Sequence, residues 1–423
     1  MQKKKILFLV WGYSIHAFRR MSIFTENPLY EVLIVSTYSY QLENATTIRL
    51  SKAIIKDSLK KIKNKQPEIN IGDSKSQTYK NFSIKSRIKK YLIKIVKSKL
   101  FIFLIFPIDI IVGLFDYAIL RNAVKSFNPS LIFLQTLMYP NYLSYLLPKR
   151  FKLMVTFWNG DVIWWKKKNS FDLIFKNQIV KYGGKRLAAV TVNSELARQD
   201  CLKLGYPIEK INLIRYPGVD MKLFHPIEKE SARKYLQIKA NKVVLWPRGI
   251  GGYLNDPTLM AAIGKVIEKH KDIVFLMLGP NSEKGEEIYN DFLNKHKYNS
   301  YFRWVGLVDW KQMLFYYSAA DIMVSISSND SLPNCMLESM GMKIPVIMGD
   351  IPQIQEWVTN SVNGYLVDVE DSDDLANRII HLFDNKELVN QFVEKSYNLV
   401  ERNASQEKNT RLVKELVNNL LSN

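Results

Sequence analysis

The stretch "NDSLPNCMLESMGMKIPVI", residues 329–347, carries two carboxylates, Asp330 and Glu338, on either side of Pro333. An apolar run, Ile322–Ser327, precedes it, and Ile344–Ile347 resumes as strand, so the segment reads as strand, loop, short helix ended by Gly341, then strand. Proline at a first helical position leaves the amides of Asn334, Cys335, Met336 and Leu337 aimed out of the helix N-terminus. Backbone N–H groups and the helix dipole favour an anion such as phosphate there. Carboxylates do not bind phosphate, so Asp330 and Glu338 must serve something else. Vicinal hydroxyls fit, because one carboxylate accepts from two OH groups at once. Phosphate flanked by two diol sites is the chemistry of a nucleotide-sugar. The same residues also admit a plainer reading, with Asp330 capping the helix and Glu338 on a solvated face.

The elements that must position these groups are read from apolar runs of strand length. They are Lys5–Val10, Glu31–Ser36, Leu131–Leu134, Leu153–Phe157, Ala188–Val192 and Ile211–Ile214, then Val243–Trp246, Ile273–Leu278, Ile322–Ser327 and Val346–Met348. Helical patterns lie between them, which predicts parallel sheets covered on both faces and a doubly wound α/β architecture. At 423 residues two domains are expected. The turn- and proline-rich stretch "YPGVDMKLFHPIEKESARKYL" places a boundary near residue 228. Polar punctuation falls just after the strands: Gly12, Asn159, Asp161 and Ser194 in the first half, Arg248, Gly279 and Asp330 in the second. Ligands of open α/β sheets bind at that edge. The "GIGG" run behind Arg248 favours close approach by a ligand, although a surface ion pair would also explain the arginine. It lacks the Gly-Lys-Ser/Thr ending of a Walker A loop.

Charge narrows the partners. The net charge is +20, and residues 1–100 hold 21 Lys/Arg against 6 Asp/Glu. No acidic residue lies between Asp73 and Asp109. "KNFSIKSRIKKYLIKIVKSK", residues 80–99, carries eight Lys/Arg opposite Ile84, Ile88, Tyr91, Leu92, Ile95 and Val96 at helical spacing. A basic amphipathic helix of this kind lies in a membrane interface. It leads into "LFIFLIFPIDIIVGLF", which is interrupted by Pro107 and Asp109, is shorter than a bilayer span and reads as a buried helix. An anionic membrane surface is therefore the expected partner, and nucleic acid is not, for want of an aromatic-basic platform. The two cysteines, Cys201 and Cys335, fit no disulfide or metal pattern and point to a reducing cytoplasm. The start "MQKKKILFLVWG" reads as a first strand and not as a signal peptide.

"DSLPNCMLESMGMKIPVI" resembles the E-x7-E segment of retaining glycosyltransferases of family four, which have the GT-B fold of two facing Rossmann-like domains. "YPGVDMKLFHP", "VVLWPRG", "FRWVGLVDWKQMLFYYSAADIMVSIS" and "IQEWVTNSVNGYLV" resemble further segments of that family, so the resemblance covers most of the chain. It implies an acceptor domain over 1–228, a nucleotide-sugar domain over 229–400 and a C-terminal helix, within 401–423, crossing back to the first. It implies that Arg248 meets the donor phosphate, Glu338 the ribose and Asp330 the transferred sugar. Loops around Gly12, Gly279 and Gly306 would help to shape the donor site. No metal or other cofactor is implied.

Three departures stand out. The first acidic residue is Asp330, not Glu. Tyr253 stands where a lysine follows the phosphate arginine. Trp158, in "TFWNGD", replaces a histidine, and His16, in "GYSIHAFRR", could take that role as a catalytic residue. Asp161 reads as fixing a turn, and Glu356 as supporting the site. The expected function is transfer of a sugar, with retention, from UDP- or GDP-sugar to a lipid-linked or polysaccharide acceptor in cell-envelope glycan synthesis. The protein would act as a peripheral protein on the cytoplasmic face of the membrane. A nucleotide-sugar 2-epimerase of the same fold is the alternative enzyme. A membrane- or nucleic-acid-binding module on a dead scaffold is the alternative outside enzymes.

Overall fold

The apolar runs resolve, in a computed structural model, into two wholly parallel sheets. The structure describes residues 3–12, 14–50, 99–136, 141–158, 180–279, 283–330 and 332–422. The first sheet contains β1 (Lys4–Val10), β2 (Tyr30–Ser36), β3 (Ala45–Arg49), β4 (Leu131–Leu134), β5 (Lys152–Thr156), β6 (Ala189–Val192) and β7 (Ile211–Leu213), in the order β3-β2-β1-β4-β5-β6-β7. The second contains β8 (Lys242–Trp246), β9 (Ile273–Leu278), β10 (Phe302–Gly306), β11 (Ile322–Ser325), β12 (Val346–Gly349) and β13 (Tyr365–Val367), in the order β10-β9-β8-β11-β12-β13. Three of these strands, β3, β10 and β13, were not expected from the sequence.

Chain order reverses direction between β1 and β4 in the first sheet and between β8 and β11 in the second. Beyond the carboxyl ends of such a pair the two following loops diverge and leave a crevice. Gly12 lies just past β1, while Arg248 and Asp330 lie past β8 and β11. The chain divides into two compact units, residues 1–156 with 185–188, and residues 157–184 with 189–423.

Burial follows the alternation expected of strands covered on both faces. In the second unit Val244, Trp246, Phe275, Met277 and Val324 pack into one core cluster with Leu259, Ile263 and Ile379 of the helices Asp256–Lys269 and Ser372–Asp384. Val243, Leu245, Leu276 and Met323 point the other way and pack with Met336, Leu337 and Met340 of the helix Asn334–Gly341. That second cluster seats the helix bearing Glu338.

The basic segment 80–98 and Asp161 lie outside the described residues. The helix that follows spans Lys99–Phe127. The tail of the apolar run is only partly the buried helix expected: Val112 is buried, but Ile111, Leu114 and Phe115 are 52%, 64% and 63% exposed at i, i+3, i+4 spacing, and Asp116 is fully buried. No described helix is long and apolar enough to cross a membrane.

The break between the helices Lys386–Ala404 and Gln406–Ser422 is held by an earlier loop. Val219 N–H donates to the Ala404 carbonyl at 2.8 Å, and Gln406 N–H donates to the Val219 carbonyl at 2.7 Å. Gly218 makes this possible. Its φ is +73°, and a Cβ there would stand 2.2 Å from the Ala404 carbonyl oxygen. Gly218→Ala is therefore expected to lower the unfolding free energy by about 2–3 kcal/mol, from backbone strain and a clash that backbone alone must relieve. Denaturant unfolding checks this; an unchanged midpoint would refute the proposed lock.

Candidate functional site

The loop after β8 is stitched to its neighbours by backbone bonds. Trp246 Nε1–H donates to the Gly249 carbonyl at 2.6 Å, Gly249 N–H donates to the Leu278 carbonyl, and Gly279 N–H donates to the Gly306 carbonyl at 2.7 Å. Gly279 has φ +107°, and a Cβ would sit 2.5 Å from the Gly249 nitrogen and 2.7 Å from the Arg248 carbonyl carbon. Its missing side chain brings the ends of β8 and β9 together and fixes where Arg248 begins.

Arg248 reaches across the switch point. Its Nη1 lies 2.5 Å from Asp330 Oδ2, with side-chain exposures of 18% and 14%. Ser327 Oγ–H donates to the same carboxylate oxygen at 3.3 Å. Burial opposes the Arg248 charge, yet Cys335 and Asp330 hold its pKa above the ordinary arginine value. The arginine is thus both of the things the sequence allowed, an ion-paired residue and one placed at the ligand edge. Cys335 lies against it, and burial pushes that thiol up to about 11 although Arg248 pulls the other way. A neutral thiol results at physiological pH.

Glu338 is not a solvated face residue. It is 9% exposed, and its Oε2 accepts from Tyr317 Oη–H at 2.8 Å. Burial, then the Glu338 charge, raise the Tyr317 pKa well above 10, so the phenol stays protonated and donates. Tyr317, from "FYYSAAD", had no spacing signal to mark it as part of this site. Pro333 is the N-cap residue and not the first helical residue, with φ −69° and ψ 118°. Its carbonyl accepts from Met336 N–H at 3.1 Å and Leu337 N–H at 3.4 Å. The four amides expected to meet an anion therefore narrow to those of Asn334 and Cys335.

Tyr253 lies in the turn Gly252–Leu254, where its carbonyl accepts from Ser328 N–H at 2.8 Å, tying that turn to the loop carrying Asp330. Glu356 does something the sequence did not suggest. Its carboxylate accepts from the amides of Glu195 and Leu196, at 2.9 and 3.0 Å, at the start of the helix Glu195–Lys203. This is a carboxylate on a helix dipole. The Asp371-Ser372-Asp373 run is likewise a cap, since the Asp371 side chain accepts from the amides of Asp373 and Asp374. Among the described residues no group of His, Cys, Asp or Glu is arranged to hold a metal.

In the first unit Gly12 N–H donates to Thr37 Oγ1 at 2.6 Å, and the Gly12 carbonyl accepts from Tyr40 Oη–H at 2.8 Å. Ser14 caps the helix Ile15–Thr25, which begins beside His16. Burial first, then Arg19 and Arg20, lower the His16 pKa to about 4. It is neutral at pH 7, so it cannot serve there as a cationic acid.

Comparison with known proteins finds similarity over part of the second unit. Residues 256–385 match the family described as "Glycosyl transferases group 1". Spore coat protein SA of Bacillus subtilis is 24% identical over 185 residues, 41% of this chain and 49% of that protein. The UDP-Gal:alpha-D-GlcNAc-diphosphoundecaprenol alpha-1,3-galactosyltransferase of Escherichia coli is 26% identical over 207 residues, 45% and 50% of the two chains. This chain thus spans about half the length of the curated relatives it matches. Among solved structures, Anabaena HepE in complex with UDP aligns with a TM-score of 0.70 at 12% identity, covering 98% of this chain and 100% of that one. This likeness speaks for the fold alone, which is GT-B, two parallel-sheet α/β domains.

The ion pair makes a signed prediction. Asp330→Asn keeps a hydrogen-bond acceptor beside Arg248 but removes the neutralising charge. The affinity for inorganic pyrophosphate, measured by calorimetry, should rise severalfold; an unchanged or lower affinity would show that Asp330 does not restrain the cation.

Proposed function

We propose that this chain, which carries a Glycosyl transferases group 1 domain, transfers a sugar from a UDP- or GDP-sugar to a lipid-linked or polysaccharide acceptor, with retention at the anomeric carbon. The observation that carries the reading is the buried cluster of Arg248, Asp330, Cys335, Tyr317 and Glu338 at the switch point of the second sheet. It supplies one fixed cation, helix amides and two carboxylates within one site. The departing diphosphate would take Arg248 and the amides of Asn334 and Cys335, so the reading needs no metal to neutralise it. Glu338, with one oxygen held by Tyr317, would accept from the ribose hydroxyls. Once the diphosphate engages Arg248, Asp330 is released to orient the transferred sugar. Gly306, whose carbonyl holds the Gly279 amide, would help to shape the donor loop.

Glu338→Gln is expected to cut UDP or GDP affinity at least about tenfold, as a charge-assisted hydrogen bond to the ribose is lost, while the melting temperature without ligand stays within a few degrees. A thermal-shift series with UDP, GDP and their sugars, run beside a release assay for the nucleoside diphosphate, checks both. Equal affinity in the two proteins would remove the ribose assignment. Free epimerised sugar as the product would favour the epimerase reading.

We infer a membrane surface as the place of action from charge and from three exposed apolar residues in the later part of the helix Lys99–Phe127. Ile111, Leu114 and Phe115 offer an apolar stripe on the element that follows the lysine-rich segment. Each cation near an anionic leaflet contributes about 1 kcal/mol, so several together hold a protein there without a spanning helix. Binding to vesicles containing phosphatidylglycerol is expected, weakened by high salt and by changing Lys89, Lys90, Lys94 and Lys97 to Gln. Co-sedimentation measures it; retention of the quadruple variant would remove the membrane assignment and leave the transferase reading intact.

A further inference from the structure

The loop that leaves β8 with Arg248 is held from inside by a carboxylate that the proposed donor site does not use. Residues 249–254 read Gly-Ile-Gly-Gly-Tyr-Leu, and Gly249, Gly251 and Gly252 have φ of +76°, +103° and +60°. Three such glycines give a free segment many conformations, so bonds to its neighbours must impose one.

Asp256 supplies two of those bonds. It opens the helix Asp256–Lys269 and is 2% exposed. Its Oδ1 accepts from Gly251 N–H at 2.6 Å. Its Oδ2 accepts from the hydroxyl of Tyr289, which stands on the helix Glu283–His296. Tyr289 is steadied in turn, its ring stacked on Trp304 of β10 with centroids 6.0 Å apart at 29°. Trp304 Nε1–H donates to Asn290 Oδ1 at 3.1 Å. The neighbouring Asn255 ties the far end of the loop, where its Nδ2–H donates to the Tyr253 carbonyl at 3.2 Å and to the Ile326 carbonyl, just past β11, at 2.9 Å.

An acid at a helix start has a plainer use, to stabilise the positive end of the dipole. Asp256 goes beyond it. Neither of its oxygens bonds an amide of its own helix; one holds the loop and the other a tyrosine 33 residues away. A carboxylate accepts from both donors at once, whereas an amide side chain offers one accepting atom. We propose that Asp256 is a positioning residue for the anion site at Arg248, with Tyr289 as its support, an assignment that rests on the transferase reading. It sets residues 249–254 before a diphosphate arrives. A ligand that met a loose loop would have to order it on binding and would bind more weakly.

Two measurements test this on Asp256→Ala, Asp256→Asn and Tyr289→Phe beside the wild type. Hydrogen exchange of the amides of residues 249–254, read without ligand, should quicken most in Asp256→Ala and less in Tyr289→Phe, while β8 and β11 keep their protection. Affinity for inorganic pyrophosphate, read by calorimetry, should fall about tenfold in Asp256→Ala and a few-fold in Tyr289→Phe. Asp256→Asn keeps an acceptor for Gly251 N–H but removes the charge from the helix start. It should lose stability yet bind pyrophosphate within a few-fold of the wild type. Tyr289→Phe leaves the loop sequence and the helix start intact, so it decides the question if Asp256→Ala does not fold. Wild-type exchange in the loop, or wild-type pyrophosphate affinity, in the variants that fold would overturn the positioning role alone. No binding of pyrophosphate, UDP or GDP by the wild type would defeat the transferase reading, and with it the role that rests on it.

Discussion

The contact between Arg248 and Asp330 ties together the two strands on which the second sheet turns. A guanidinium that is 18% exposed is stable only if a partner offsets the loss of water, and Asp330 provides it from the loop after β11. The rest of the site is arranged around that need. Gly279 exists in its left-handed conformation so that the end of β9 can approach the Arg248 backbone. Cys335, buried beside the arginine, adds bulk without charge because its thiol stays protonated. An ion pair of this kind costs desolvation on both sides and is weak evidence for stability. In the proposed function it serves as a charge held ready for the donor diphosphate.

Glu338 shows a second way to keep a charge under cover. Tyr317, which bonds its Oε2, is a neutral donor. A carboxylate neutralised by an arginine would have little attraction left for a diol. A phenol fixes the orientation and leaves the charge intact. The two carboxylates thus differ in their restraint: Asp330 is tied by opposite charge and Glu338 by a hydrogen bond.

Much of this was legible in the sequence, for reasons that differ by element. The strands found from apolar runs are mostly interior ones, buried on both faces and so unbroken in hydrophobicity. The three that were missed, β3 "ATTIR", β10 "FRWVG" and β13 "YLV", all lie at sheet edges; β3 and β10 carry the polar or exposed side chains an edge tolerates, while β13 is a buried run of three residues, too short to stand out. Asp330, Glu338 and Arg248 were legible because each sits at a fixed offset from a strand or helix end. Tyr317, the Cys335–Arg248 contact and the Glu356 cap were not. They depend on elements separated along the chain meeting in space, and no local spacing encodes that. The placing of Pro333 as the cap instead of the first helical residue is a one-residue difference, but it decides which amides stay turned outward.

The two sheets order the same edge by different means. In the second, the edge carries a cation, two carboxylates and a helix start, all partly withdrawn from water, which suits a charged and hydroxyl-rich ligand held by directional bonds. In the first, the turn after β1 is ordered by hydroxyls, and cations stand close behind it. Burial, then Arg19 and Arg20, lower the His16 pKa, and the hydroxyls of Thr37 and Tyr40 close the turn at Gly12. The edge of the second sheet is thus set by an ion pair, and the turn after β1 in the first by neutral hydrogen bonds around Gly12.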